Sequence, residues 1–424
     1  MTTARRPRRG RRLGLALAGG GPEGAVYELG ALRALEEAIA GLDLTTADTF
    51  VGVSAGAFIA SALANGMTVA DLVRGLVADT PGEEPFDPGH FFVPAYKEWA
   101  RRSGRLPVLI AEALLQFTRA PRDQTLFESL ARLGEALPPG VFDNEPIRRY
   151  LTALFDRPGR TNDFRELRRH LFVVAADLES GTPIVFGGPG ADHVPIARAV
   201  QASTALPGLY PPVEIEGRLC VDGVLLKTVH ASVALDQGVD LVLCVNPLVP
   251  VDVPAAERTG ELSPGALLRG GLPLLLSQTF RTLIHSRMVV GMAHYEGRYP
   301  RQDVLLFEPA RAEHRLFFRN IFSFRARREM CEIAYEATRK DLWLRRRSLE
   351  PVLKRHGLAL REDVLRDPDR TIWSGLGLDA PPPVSSLTRR LSGALDRIEA
   401  ATAPAPAQAP PKRPKRKAAR RVRA

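Results

Sequence analysis

The residues best suited to chemistry surround a single serine. Ser54 stands between Gly52 and Gly56 in a Gly-x-Ser-x-Gly sequence. The apolar residues 49–53 before it predict a buried strand, and the spacing of apolar residues over 57–64 predicts a helix. A sharp strand-to-helix turn presents its middle residue at the end of a sheet, above the positive end of the following helix. This pattern predicts a serine nucleophile.

A second glycine-rich turn follows the first predicted strand, residues 13–18. It reads Gly19-Gly20-Gly21-Pro22-Glu23-Gly24, and the residues from 25 to 40 then have helical spacing. Pro22 has no N–H, so we assign the donor amides to Gly20 and Gly21, with Gly19 and Ala55 as further members. Because parallel strands end at the same edge of a sheet, these amides would face Ser54. Such amides form an oxyanion hole.

A carboxylate also falls at a predicted strand end. The run Gly217-Arg218-Leu219-Cys220-Val221 is followed by Asp222 and Gly223. Alone, an Asp-Gly pair indicates only a turn. Next to a serine, however, the Asp222 carboxylate would accept its proton directly.

Two other site chemistries fit parts of this pattern. Gly19, Gly21 and Gly24 satisfy G-x-G-x-x-G, and Asp43 lies 19 residues further on, as in a dinucleotide-binding fold. In that fold the acid ends the second strand, whereas Asp43 precedes it.

A triad hydrolase would instead need a histidine after the acid, and four follow in that order: His285, His294, His314 and His356. A glycine loop on the first strand fits that fold poorly. His230 would line the site without a required role.

The remaining elements are predicted from periodicity. Further buried strands are expected at 171–176, 183–186, 240–245 and 303–307, and helices at 145–155, 195–202, 263–292 and 323–347. Residues 203–213 form a proline-rich loop. Residues 81–140 are predicted to be a helical insertion, either an ordinary packed one or a lid.

The positive charge is confined to the ends of the chain. The 424 residues carry a net charge of +10, yet residues 1–12 contain six arginines and residues 411–424 eight Lys/Arg, all without acids. Removing those fourteen charges from +10 leaves −4 for residues 13–410. The tails are expected to be disordered and to contact anionic surfaces without sequence preference, so no specific nucleic acid is expected.

Cysteines and hydropathy indicate the compartment. Three widely spaced cysteines indicate neither a disulfide framework nor a metal site, and favour a reducing environment. No run of about 18 apolar residues predicts a membrane span, and the six apolar residues 13–18 are too short for a signal peptide. A cytoplasmic protein is expected, with membrane-surface contact left open. The oligomeric state is not predicted.

The three motifs, in this order, resemble the patatin-like phospholipase family. The resemblance covers residues 13–250 and implies a three-layer α/β/α domain with a mostly parallel central sheet. It also implies a serine acyl hydrolase of phospholipids or lysophospholipids, with Ser54 as nucleophile, Asp222 as base and no metal or organic cofactor. Residues 251–378 would then be a helical C-terminal extension packed on the core, with tails at 1–12 and 379–424.

The sequence departs from the family pattern at three places. Glu23 stands where the family usually has Arg or Lys, Val224 stands where Gly or Ala is usual, and residues 227–230 replace an Asn- and Pro-containing run. None removes the nucleophile, the base or the donor amides. The departures leave open an alternative, a catalytically weak lipid- or surface-binding protein on the same fold.

Overall fold

The computed structural model describes residues 12–78, 88–96, 139–260, 262–311 and 324–376. Most of the predicted insertion at 81–140, nearly all of both basic tails and His314 lie outside these residues. Within the part described, no helix is long and apolar enough to cross a bilayer.

Twelve β-strands are found among the described residues: β1 Leu13–Leu17, β2 Ile39–Ala40, β3 Thr49–Gly52, β4 Val93–Pro94, β5 Phe142–Asp143, β6 His170–Asp177, β7 Pro183–Phe186, β8 Val213–Ile215, β9 Arg218–Asp222, β10 Leu241–Val245, β11 Asp303–Phe307 and β12 Ala359–Leu360. Eight of them form one sheet in the order β11-β10-β1-β3-β6-β9-β8, with β7 also paired to β6. The strands from β11 to β6 are parallel, whereas β7, β8 and β9 pair antiparallel. The predicted α/β class with a mostly parallel sheet is confirmed.

Twelve α-helices accompany the strands within these ranges: α1 Gly21–Ala38, α2 Ala55–Ala64, α3 Val69–Val73, α4 Glu145–Phe155, α5 Ile196–Ser203, α6 Ala231–Asp236, α7 Val253–Thr259, α8 Ala266–Arg269, α9 Gly271–Arg298, α10 Phe324–Leu344, α11 Arg346–Arg355 and α12 Glu362–Arg366. Helix α1 begins at Gly21, four residues earlier than predicted, because Pro22 suits the first turn of a helix.

Side chains of the central strands alternate between two cores. On β1, Leu15 and Leu17 enter the larger core with α1, α2, α4, α5 and α10, whereas Ala16 and Ala18 enter a second core with α6 and α9. Helices therefore cover both faces of the sheet. This burial on both sides explains why the parallel strands are apolar throughout rather than alternating.

The C-terminal part of the chain is built into the core. Strand β11, which lies within the predicted extension 251–378, forms one edge of the central sheet beside β10. Helix α10 crosses α1 so closely that a Cβ at Gly30 would lie 2.3 Å from the Cys331 carbonyl oxygen. The Tyr335 hydroxyl also donates to Glu37 of α1 at 2.6 Å. The sheet is thus completed only by residues from this extension.

Candidate active site

Ser54 occupies the turn between β3 and α2. Its backbone has φ 53° and ψ −120°, a conformation that non-glycine residues rarely adopt and that nucleophile turns require. A Cβ at Gly52 would lie 2.4 Å from the Cα of Ala57, and one at Gly56 would lie 2.5 Å from the Ala18 carbonyl oxygen. The two glycines therefore allow the strand, the turn and the helix to pack this closely.

Strand β9 brings Asp222 toward Ser54 from the direction opposite to that of β3. Strand β3 pairs with the first half of β6 and ends with Gly52 opposite Val173. Strand β9 runs antiparallel along the second half of β6 and ends with Asp222 opposite Ala175. Because β7 occupies the other edge of β6 along this stretch, β3 and β9 share one edge and their carboxyl ends face each other.

The Asp222 carboxyl group is buried, with only 2% of the residue exposed. Burial raises its pKa from 3.8 to about 7, while hydrogen bonds from the Val224 amide and the Ser54 side chain act to lower it. The Val224 N–H donates to Oδ1 at 2.9 Å. Gly223 is required here because a Cβ would lie 2.4 Å from the Val174 carbonyl oxygen. A carboxylate with a pKa near 7 is well matched to general-base chemistry at neutral pH.

The glycine loop passes beside the serine. A Cβ at Gly19 would lie 3.1 Å from the Ser54 Cβ and 3.4 Å from that of Val224. Gly20 precedes the first turn of α1, and Gly21 has φ 63°, which favours glycine. The Gly20 and Gly21 amides thus belong to the positive end of α1, as Ala55 belongs to that of α2. Gly24 completes the turn by donating to the Gly20 carbonyl at 3.0 Å.

A second serine, Ser203, supports the turn. Its hydroxyl accepts the Ser54 N–H at 2.8 Å and donates to the Val174 carbonyl at 2.6 Å, and the residue is fully buried. Ser203 therefore links the Ser54 turn to β6, the strand with which β9 also pairs. The sequence offered no motif for this residue, which ends helix α5.

A cation stands beside the glycine loop, although it comes from a distant part of the chain. Arg281 of α9 places Nη2 3.7 Å from Glu23 Oε2. Burial raises the pKa of Glu23, and the charge of Arg281 opposes that shift. The arginine thus offsets the acid that replaces the usual Arg or Lys of the family.

An apolar cavity opens between the two glycine turns. The cavity is small, with a volume of about 30 Å³, and Pro22 and Ala55 lie on its wall. The other residues that line it are Ala25, Val26, Leu29, Phe58, Leu76, Phe91, Thr204 and Arg327. An apolar chain attached to a group at Ser54 would find this cavity adjacent.

Three of the four histidines that the triad alternative offered, His285, His294 and His356, lie in the described part of the chain. His356 pairs with Asp303 at 2.6 Å, at the amino end of β11 and therefore at the opposite edge of the sheet. His294 is exposed, and His285 is buried on α9. His230 places Nε2 3.4 Å from the Gly223 carbonyl, and burial lowers its pKa to about 4.

Asp43 does not approach the glycine loop. It caps the short 3₁₀ helix 44–46, where its carboxylate accepts the Thr45 N–H at 3.0 Å. Because this helix precedes β3, Asp43 lies at the amino edge of the sheet. The dinucleotide alternative therefore loses the acid on which it depended.

Comparison with known proteins agrees with this geometry. The family model for patatin-like phospholipases matches residues 15–235, just over half of the chain. The chain belongs to the patatin-like phospholipase family, a family of lipid hydrolases, as the motifs predicted.

The relatives are distant, and the match covers less than half of each of them. An uncharacterized NTE family protein of Mycobacterium tuberculosis is 29% identical over 274 residues, which cover 65% of this chain and 36% of that protein. The YqhO protein of Bacillus subtilis is 26% identical over 173 residues, covering 39% of this chain and 47% of its own. The chain thus spans about a third of the mycobacterial protein and about half of the Bacillus one.

Solved structures with similarity to this chain include two bacterial proteins. VipD from Legionella pneumophila has a TM-score of 0.30 and 20% identity, covering 62% of this chain and 58% of VipD. The type III effector ExoU has a TM-score of 0.31 and 16% identity, covering 79% of this chain and 53% of ExoU.

Proposed function

We propose that this chain is a serine acyl hydrolase of lipids that uses Ser54 as nucleophile and Asp222 as general base. The observation that carries the proposal is the meeting of β3 and β9 along one edge of β6, which directs a buried carboxyl group at the strained serine turn. Family membership supports the class of reaction.

The first half of the reaction forms an acyl-enzyme. The Ser54 hydroxyl oxygen attacks the ester carbonyl carbon while its proton moves to the Asp222 carboxylate. The amides of Gly20 and Gly21, with Gly19 and Ala55 beside them, stabilise the resulting oxyanion; one such donor is worth about 3–4 kcal/mol of barrier. The alcohol then leaves with the proton that Asp222 held.

The second half releases the acid. Asp222, again ionised, takes a proton from water, and the hydroxide attacks the acyl carbon. The tetrahedral intermediate collapses, the free fatty acid departs, and the Ser54 oxygen recovers its proton from Asp222. A single carboxylate thus serves both halves, and no step calls for a histidine.

The apolar cavity favours a fatty acyl substrate. It opens beside Ala55 and Pro22, on the same side of the turn as the proposed oxyanion hole. Its walls are almost entirely apolar, so the carbons next to the ester group would be buried there without loss of hydrogen bonds.

Labelling with a fluorophosphonate, together with turnover of p-nitrophenyl esters, tests the proposal. Ser54→Ala should lose both labelling and turnover, and Asp222→Asn should lose turnover and label much more slowly. Ser61→Ala is the matched control, because Ser61 is equally buried on α2 and its hydroxyl donates only to Ala57 O, at 2.6 Å. Full turnover by Ser54→Ala would refute the nucleophile. Unlabelled wild type would favour the lipid-binding alternative.

A further inference from the structure

Helix α9 exposes a row of large apolar side chains to solvent. Of the 13 exposed large apolar side chains in the described part of the chain, eight lie between residues 268 and 290. Five of them follow one side of α9 at helical spacing, with exposed fractions of 44–70%: Leu272, Leu276, Phe280, Leu283 and Val290. Single exposed apolar residues are ordinary, but a continuous stripe of about 27 Å marks an interaction surface. We call these five residues the outer stripe.

The opposite side of α9 is anchored, so the outer stripe is held outward. The Ile284 carbonyl accepts the Thr228 hydroxyl at 3.3 Å, and Asn246 Nδ2 contacts the Met288 sulfur at 3.1 Å. Met288 and Tyr295 are buried against the core. Rotating the helix to bury the outer stripe would break these contacts.

The same helix borders the candidate active site on two sides. Arg287 Nη1 donates to the Leu225 carbonyl at 3.0 Å, three residues after Asp222. Six residues earlier along α9, Arg281 pairs with Glu23 of the glycine loop. The outer stripe therefore lies on the rim that surrounds Ser54 and Asp222.

The charge of this segment favours an anionic partner. Residues 266–298 contain four arginines and one acid. Arg281 is largely buried beside Glu23 and Arg298 lies 3.8 Å from Asp236, whereas Arg269 and Arg287 are exposed. Arginine flanking an apolar helix face is the composition of helices that lie in the interface of anionic bilayers.

We propose that the outer stripe of α9 docks the protein onto an anionic lipid surface, with its apolar side chains inserted below the headgroups and the exposed Arg269 and Arg287 among the phosphates. The inference deepens the proposed function, because docking on this rim turns the Ser54 site toward the bilayer that would hold its substrate. A second copy of the chain is the competing occupant, and the test separates the two.

Vesicle binding tests docking separately from catalysis. The full chain with Ser54→Ala is sedimented with vesicles of phosphatidylcholine and phosphatidylglycerol. It is compared with the same chain carrying Leu276→Glu, Leu283→Glu or both replacements. We expect the two glutamates to lower the partition coefficient at least tenfold. Leu344→Glu is the matched control for each single replacement, because Leu344 is 67% exposed on α10 and gains the same single charge. At about 0.5 M NaCl, which screens attraction by the basic tails, the difference should persist.

The outcomes distinguish docking from the proposed activity. With Ser54 intact, Leu276→Glu and Leu283→Glu should leave p-nitrophenyl butyrate turnover unchanged and lower vesicle hydrolysis in proportion to binding. Unchanged vesicle binding, or equal binding to pure phosphatidylcholine, would overturn the inference. A wild-type dimer that the two glutamates dissociate, without vesicle binding, would assign the outer stripe to a second copy. If the wild type hydrolyses no ester but still binds vesicles through the outer stripe, the proposed hydrolase activity is refuted and the docking inference stands.

Discussion

The pKa of Asp222 makes the proposed general base testable by pH. Burial raises this pKa to about 7, and the carboxyl group accepts the Ser54 proton only when it is ionised. Wild-type kcat/KM for a soluble ester should therefore rise with pH and level off above about 7. At about pH 5 only about 1% of Asp222 would be ionised, so the rate there should be about 100-fold below the plateau.

The assay is p-nitrophenyl butyrate hydrolysis followed at the isosbestic wavelength of the product, in buffers of constant ionic strength. Asp222→Asn should lose most of the turnover together with this pH dependence. A wild-type profile that is flat from about pH 5 to pH 8 would refute the reasoning, because an ordinary carboxyl group is fully ionised over that range. A rate that falls with rising pH would also refute it.

Folding stability should respond to the same ionisation with the opposite sign. Because the folded pKa of Asp222 lies above the unfolded one, the native state binds more protons between about pH 4 and pH 7. The stabilisation is complete below that range and lost as pH rises through about 7, by up to roughly 4 kcal/mol.

Two variants isolate this stability effect. Asp222→Asn should lack the decline that wild type shows in urea unfolding between about pH 4 and pH 7. Ser54→Ala keeps Asp222 and should retain the decline, extended to higher pH because a hydrogen bond that lowers the pKa is gone. Identical pH dependence of stability in wild type and Asp222→Asn would contradict the assignment of a raised pKa to this residue.

Three further predictions concern residues around the site. Ser203→Ala leaves the Ser54 amide and the Val174 carbonyl without a partner, so urea unfolding should show a loss of about 2 kcal/mol and kcat should fall, unlike in Ser61→Ala. Arg281→Gln leaves Glu23 uncompensated beside the glycine loop and should lower kcat roughly tenfold; adding Glu23→Gln should restore it, and failure to do so would contradict the charge argument. Ala25→Phe fills the apolar cavity and should lower kcat/KM for p-nitrophenyl palmitate while sparing the butyrate; an equal loss on both esters would argue against an acyl pocket.

Elements with strong periodicity were predictable from the sequence. Strand β11 and helix α4 have the bounds predicted, and β3, β6 and β10 differ by two residues or fewer at each end. The predicted start of α1 at residue 25 is wrong, because proline is well tolerated in a first helical turn and the helix therefore includes Pro22. The role of β11 as an edge strand beside β10 depends on long-range pairing, which local periodicity does not encode.

The residues that support the site through distant contacts were not predictable in the same way. Ser54, Asp222 and the glycine loop carry local signals, since each stands at the end of an apolar strand. Ser203 acts through a hydrogen bond to a residue 149 positions away, and it lies in a helix without any motif. Arg281 is one arginine among many in an apolar segment, and its relation to Glu23 appears only once α9 crosses the glycine loop.

The direction of β9 brings a carboxyl group, rather than an imidazole, toward the Ser54 turn. The hairpin with β8 reverses the strand, so Asp222 arrives opposite Ala175, two positions along β6 from the residue opposite Gly52. His230 contacts the Gly223 carbonyl, and burial lowers its pKa to about 4, so its ring is neutral at pH 7. The proposed dyad is therefore a consequence of strand direction, and Asp222→Asn, which removes the negative charge but keeps the shape of the side chain, tests the role of the carboxylate.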